Sequence, residues 1–205
     1  MTDRPPGDAG TATAAGEVTR EELHFRRIDF RGFRRSDGLF EVEAQLTDRK
    51  THDFAPPSGG RVVPAGDNIH DHGLRVVFGE DMVIREITIA IRAYPYRECR
   101  GGGETLQALV GLRIGPGWNS ELRKRLPSSD TCTHLKEMMT PLASAAFQTV
   151  YSVVTSRVGE VDASGRPRKI DSCYAYGTSR ELVRLNWPVF HQPAPSTKQE
   201  DKGNT

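Results

Sequence analysis

The sequence predicts an α+β fold, an antiparallel sheet of hairpins covered by helices from the C-terminal half. Three observations carry this. Apolar residues recur at every second position through most of the stretch from residue 30 to 93, turn-forming residues separate the alternating runs, and beyond Ala93 the apolar period changes to three and four.

Residues 1–21 are rich in Pro, Gly, Ala and Thr, and residues 192–205 end in P-A-P-S-T-K-Q-E-D-K-G-N-T. Neither stretch has apolar area to bury, so both are expected to be disordered tails around one globular domain, 22–191. In R-R-I-D-F-R-G-F-R-R, Phe30 and Phe33 among arginines mark an edge strand. Ser36-Asp37-Gly38 supplies a hairpin turn. Phe40, Val42, Ala44 and Leu46 then share one strand face, with Glu41, Glu43 and Gln45 on the other, and A-P-P-S-G-G forms a loop. His70, His72, Leu74, Val76 and Phe78 have one parity; after Gly79-Glu80-Asp81, so do Ile87, Ile89, Ile91 and Ala93, which completes a second hairpin.

Helices are expected next: a short one in G-G-G-E-T-L-Q-A-L-V-G closed by Gly111, a second in N-S-E-L-R-K-R-L capped by Asn119, and a long one from Asp130. The long helix buries Leu135, Met138, Met139, Leu142, Ala146, Thr149, Val150 and Val153 against the sheet, with a kink at Pro141. E-L-V-R-L-N-W alternates Val183, Leu185 and Trp187 and is expected to add a strand.

Composition excludes several functions. With 28 Lys and Arg against 27 Asp and Glu the net charge is +1, too little for a protein that lives on phosphate backbones, so nucleic acid is not an expected partner. No apolar run is long enough to cross a bilayer and M-T-D-R-P-P-G-D-A-G carries no secretion signal, so no membrane partner and a cytoplasmic location are expected. Three cysteines in a reducing compartment point to thiol or ligand chemistry rather than disulfides.

Four places can carry chemistry. Asp48 continues the parity of Phe40–Leu46 and puts a carboxylate at the rim of the core. His70 and His72 open their strand on one side, where neighbours two apart can share a metal ion; the plain alternative is two histidines that each cap the core with a hydrogen bond. Cys132 follows Asp130 and Thr131, either of which can be the N-cap, so its sulfur falls in a first turn that favours thiolate, with His134 two residues on; the alternative is a buried structural cysteine. Cys99 precedes Arg100-Gly101-Gly102-Gly103, flexible backbone that suits the approach of a cofactor or merely connects elements. Cys173 in I-D-S-C-Y-A-Y is expected to pack in the core. No phosphate-loop, dinucleotide fingerprint, nucleophile elbow or zinc-protease helix is present.

D-G-L-F-E-V-E-A-Q-L-T-D-R-K, I-H-D-H-G-L-R, P-Y-R-E-C, L-V-G-L-R-I-G-P-G-W, C-T-H-L-K-E and D-S-C-Y-A-Y, in that order over about residues 26–176, resemble the bacterial family called domain of unknown function 2889. The resemblance implies no activity. His70 and Asp71 match its I-H-D stretch, whereas methionine is usual there at the position of His72. It carries over Asp48, Cys99, Cys132 and His134 as a polar cluster. The order of parts is also similar to NifU-type iron–sulfur scaffolds, which implies a NifU/SufE-like layout. Cys99 and Cys132 would match the scaffold's first and last cysteines; its middle cysteine has no counterpart, and Gly101 stands in place of its aspartate.

Three readings follow. In the first, Cys99, Cys132, His134 and either His70 or Asp48 bind zinc or iron. In the second, a metal-free enzyme uses Asp48 or His70 as acid or base and Cys132 as thiolate on a small metabolite. In the third, a non-catalytic binding or accessory domain holds these residues as satisfied core groups and its tails recruit a partner.

Overall fold

Strand β2 (Phe40–Lys50) is the clearest product of the alternation: Phe40, Val42, Ala44, Leu46 and Asp48 are all buried, and the residues between them are not. It pairs antiparallel with β1 (His24–Arg34) and with β3 (Asn68–Phe78), which pairs with β4 (Ile84–Ala93), giving a meander of order β1-β2-β3-β4. Gly38, at φ +83°, makes the first turn in the left-handed region that glycine adopts without a Cβ penalty. The loop after β2 follows as expected, and β1 is an edge strand.

The computed structural model describes residues 18–151, 153 and 161–193. The predicted tails lie outside these apart from residues 18–21 and 192–193, which carry no regular structure. The chain divides into two compact units, Met1–Thr149 and Val150–Thr205.

In the larger unit, a 3-10 segment (Arg97–Leu109) covers the β4 edge, where Gln107 donates to the Ile87 carbonyl at 2.9 Å. It begins earlier than the glycine run suggested and ends before Gly111 at φ +85°. Helix α1 (Trp118–Arg125) starts after Gly117, also at φ +85°, and not on an Asn119 cap. Its buried Trp118 indole donates to the Met139 carbonyl at 2.8 Å and so ties it to helix α2 (Thr133–Tyr151). Leu135, Met138, Met139, Leu142 and Ala146 are fully buried along α2, Thr149 is half-buried, and Val153 lies past the helix end, 39% exposed. Pro141 sits inside the helix.

Helix α2 runs alongside β1. Arg26 Nη1 donates to Glu137 Oε2 at 2.6 Å at one end, and at the other a Cβ on Gly32 would fall 1.8 Å from Thr149 Oγ1. Six strand residues advance about 20 Å and twelve helical residues about 18 Å, so the two elements keep step. Because Gly32 is the contact point, Gly32→Ala is expected to destabilise the fold by about 1–3 kcal/mol through forced separation. Urea unfolding checks this, and an unchanged midpoint would refute it.

In the smaller unit the segment predicted to be a strand is instead a short helix, α3 (Glu181–Asn186). Its alternation did not reflect burial: Val183 is fully buried while Leu185 is 62% exposed. Local bonds take over. Trp187 N–H reaches the Val183 carbonyl at 2.8 Å, and Glu181 pairs with Arg184 three residues on.

Candidate functional site

Sheet register assembles the site. One cross-strand row reads Arg26, Asp48, His70; the next row inward reads Ile28, Leu46, His72, Ile91. The first row is therefore polar at the rim, and the second places a histidine among aliphatic side chains.

Asp48, 2% exposed, accepts four hydrogen bonds. Arg26 grips both oxygens, Nε to Oδ1 at 2.8 Å and Nη2 to Oδ2 at 2.7 Å; His24 Nε2 meets Oδ1 at 3.0 Å and His70 Nδ1 meets Oδ2 at 3.1 Å. These fill the acceptor positions of a carboxylate. Burial pushes the Asp48 carboxyl up, but the Arg26 hydrogen bonds and charge, with His24 and His70, outweigh it and hold the carboxyl at about 2.

Helix α2 brings the remaining groups. His134 lies over His70 with ring centroids 3.8 Å apart and is 5.5 Å from His72. Its Nδ1 is 3.8 Å from Cys132 Sγ and its Nε2 is 3.7 Å from Asp48 Oδ2. Two groups result, each with one donor atom per residue and all donors within 4.8 Å: His72, Cys132 and His134, and Asp48, His70 and His134. Burial holds the His134 imidazolium down to about 4, helped by His70, His72 and Arg26 and opposed by Asp48. Burial lowers His70 and His72 as well. Three imidazoles whose protonation burial disfavours thus face one another beside the Cys132 sulfur.

His72 is fully buried, and neither of its ring nitrogens has a hydrogen-bond partner. The Asp71 backbone lies near the ring but out of hydrogen-bond geometry. These are the buried polar side-chain atoms left unpaired among the described residues.

Cys132 directly precedes α2, and its carbonyl accepts the Lys136 N–H at 3.0 Å. It is the cap itself, in place of Asp130 or Thr131. Thr131 is buried with its hydroxyl 3.0 Å from that of Thr105. The Cys132 N–H donates to the Gly102 carbonyl at 2.7 Å, and a Cβ on Gly102 would sit 2.9 Å from the Cys132 Cβ. Gly103 similarly touches Ile89 and Leu135, so these two glycines are close-packing positions for the thiol and helix.

Of the sequence candidates, Asp48, His70, Cys132 and His134 come together. Cys99, half-buried at the start of the 3-10 segment, joins neither group, and His72 takes its place. Cys173 is exposed rather than in the core, because it caps a three-residue 3-10 turn (Tyr174–Tyr176) with no buried residue. Sequence reasoning did not pick out His24 and Arg26. Their signal is parity with the half-buried Ile28 and Phe30, but only register shows that Asp48 lies opposite.

Fold and site together define a class, an antiparallel meander with a helix laid over an imidazole–thiol cluster at one end of the sheet. The chain belongs to the family described as Protein of unknown function (DUF2889), which matches residues 24–148 and so includes every residue of the cluster. D-S-C-Y-A-Y falls outside that match. No curated protein and no solved structure matches the chain, so the likeness to NifU-type scaffolds rests on order of parts alone. Among the described residues no helix is long and apolar enough to cross a membrane.

Proposed function

We propose that the domain binds a transition-metal ion, zinc or iron(II), through His72, Cys132 and His134. The observation that carries this is the fully buried His72 with two unpaired nitrogens, aimed at a thiol and a second imidazole. A buried polar group without a partner costs free energy, and a metal bond supplies the partner. A tetrahedral ion sets nitrogen and sulfur ligands about 3.5 Å apart, close to the 3.8 Å between Cys132 Sγ and His134 Nδ1.

His134 facing the ion through Nδ1 turns Nε2 toward Asp48, 3.7 Å away, a charge neighbour beyond hydrogen-bond distance. Asp48, with its acceptor positions filled by Arg26, His24 and His70, does not ligate. His70 donates through Nδ1 to Asp48 and groups with Asp48 and His134 rather than with His72 and Cys132, so the ion would have three protein ligands and an open fourth position. A thiolate with two imidazoles suits zinc and iron(II) better than hard cations.

A second reading rests on one observation: Cys132, His134 and Asp48 are arranged as nucleophile, base and orienting carboxylate. Two features disfavour it. An imidazolium held down to about 4 stabilises a thiolate poorly, and the Cys132 N–H, a natural oxyanion donor, is already bonded to Gly102.

Elemental analysis of protein purified anaerobically without chelator tests the proposal. About one zinc or iron per chain is expected in wild type, and its loss in both Cys132→Ser and His72→Leu with the far-UV spectrum retained. Metal that persists in both variants, or wild type that stays metal-free after reconstitution, refutes it. In the metal-free case, fast alkylation of Cys132 relative to Cys99 and Cys173 would favour the thiol reading.

A further inference from the structure

A cleft of about 800 Å³ opens where β4 ends and β3 begins, lined by Arg61, Arg92 and Arg97 with Tyr94 and a single acid, Asp67. None of these residues belongs to the imidazole–thiol cluster.

The arginines are positioned. Phe54 and Val63 pair through backbone bonds of 2.8 and 2.9 Å that close the loop carrying Arg61. Arg61 N–H donates to the Pro95 carbonyl at 3.1 Å, and its Nη2 donates to the Asn68 carbonyl at 2.8 Å. Gly60 allows this: at φ +115° it holds a conformation closed to other residues, and a Cβ there would be 2.5 Å from the Pro95 oxygen. Arg92 is steadied by Gln45 at 2.8 Å and Asp71 at 3.2 Å. Arg97 has no carboxylate partner among the described residues, and nor does Asp67 have a cation.

Arg97 also opens the 3-10 segment, whose preceding residue, Tyr96, supplies no side-chain cap. The Cys99 N–H is taken by the Tyr96 carbonyl at 3.1 Å, so the amides open at this end of the segment are those of Arg97 and Glu98, beside the Arg97 guanidinium. Arg92 is held by Asp71, so the Arg61 and Arg97 guanidiniums with the two amides are the donors, arranged around more than one plane as the three oxygens of a phosphate need and a planar carboxylate does not. Asp67 would repel the phosphate itself and accept from a neighbouring hydroxyl.

We propose that this cleft binds a small phosphorylated polyol, its phosphate held by Arg61, Arg97 and the opening amides of the 3-10 segment, and a hydroxyl held by Asp67. Arg92 adds charge at the rim.

Calorimetric titration of the full chain with glycerol phosphate, in chelator and at matched ionic strength, is the test. Saturable binding is expected, weakened about ten-fold or more in Arg97→Gln and unchanged in Cys173→Ser, at an exposed cysteine outside both sites. Asp67→Asn is expected to weaken glycerol phosphate but not inorganic phosphate. The proposal falls if neither probe binds saturably, if Arg97→Gln binds as wild type does, or if succinate binds as tightly as glycerol phosphate.

Discussion

His72→Leu is expected to make the metal-free protein more stable and the metal-supplemented protein less stable than wild type. Across the sheet His72 stands between Leu46 and Ile91, fully buried, with both nitrogens unpaired. A leucine there adds apolar burial and removes two desolvated polar atoms, a gain of about 1–3 kcal/mol. In a chain of this size each kcal/mol moves the melting temperature by about 2–4 °C. With zinc present the order reverses, because a ligand that binds only the native state stabilises wild type by mass action and the variant has lost a donor. Melting curves in chelator and in zinc measure both effects. A variant less stable than wild type in chelator would mean that His72 has a structural partner, and the case for the metal would weaken with it.

The same residue shows what alternation can and cannot tell. Parity correctly put His70 and His72 on the face of Leu74, Val76 and Phe78, as it put Asp48 beyond Leu46. Parity gives the face of a residue, not what stands across from it. Arg26 opposite Asp48, and Leu46 opposite His72, depend on register, which is fixed by hairpin closure and pairing along the whole strand.

Helix starts were less legible for a related reason. Asp130 and Thr131 have good capping chemistry, yet α2 begins after Cys132, because the Cys132 N–H is bonded to Gly102 thirty residues away and the Thr131 hydroxyl is engaged with Thr105. Contacts distant in sequence overrode local preference. At Val183 and Leu185 the failure was one of length: three alternating residues fit a strand and a single helical turn equally well, and no neighbouring strand pairs with them among the described residues.

Asp48→Asn is expected to cost about 3 kcal/mol or more in chelator, a larger change than Gly32→Ala. The amide has the shape of the carboxylate but offers two donors where Arg26, His24 and His70 all donate. Arg26 loses its counter-charge in a largely buried setting, where removing one member of an ion pair costs about 3–5 kcal/mol. Arg26 is one-third exposed and keeps Glu137, which places the effect toward the lower end of that range. The pH dependence separates charge from shape. A carboxyl whose pKa falls from 3.8 to about 2 on folding contributes stability that is complete above 3.8 and lost as pH falls toward 2. For Asp48 that amounts to about 2 kcal/mol. Urea unfolding in chelator at a series of pH values from 5 to about 2 should therefore show wild type and Asp48→Asn converging as the solution is acidified. Parallel curves over that interval would show that the carboxylate is not what holds Arg26 and the two histidines in place.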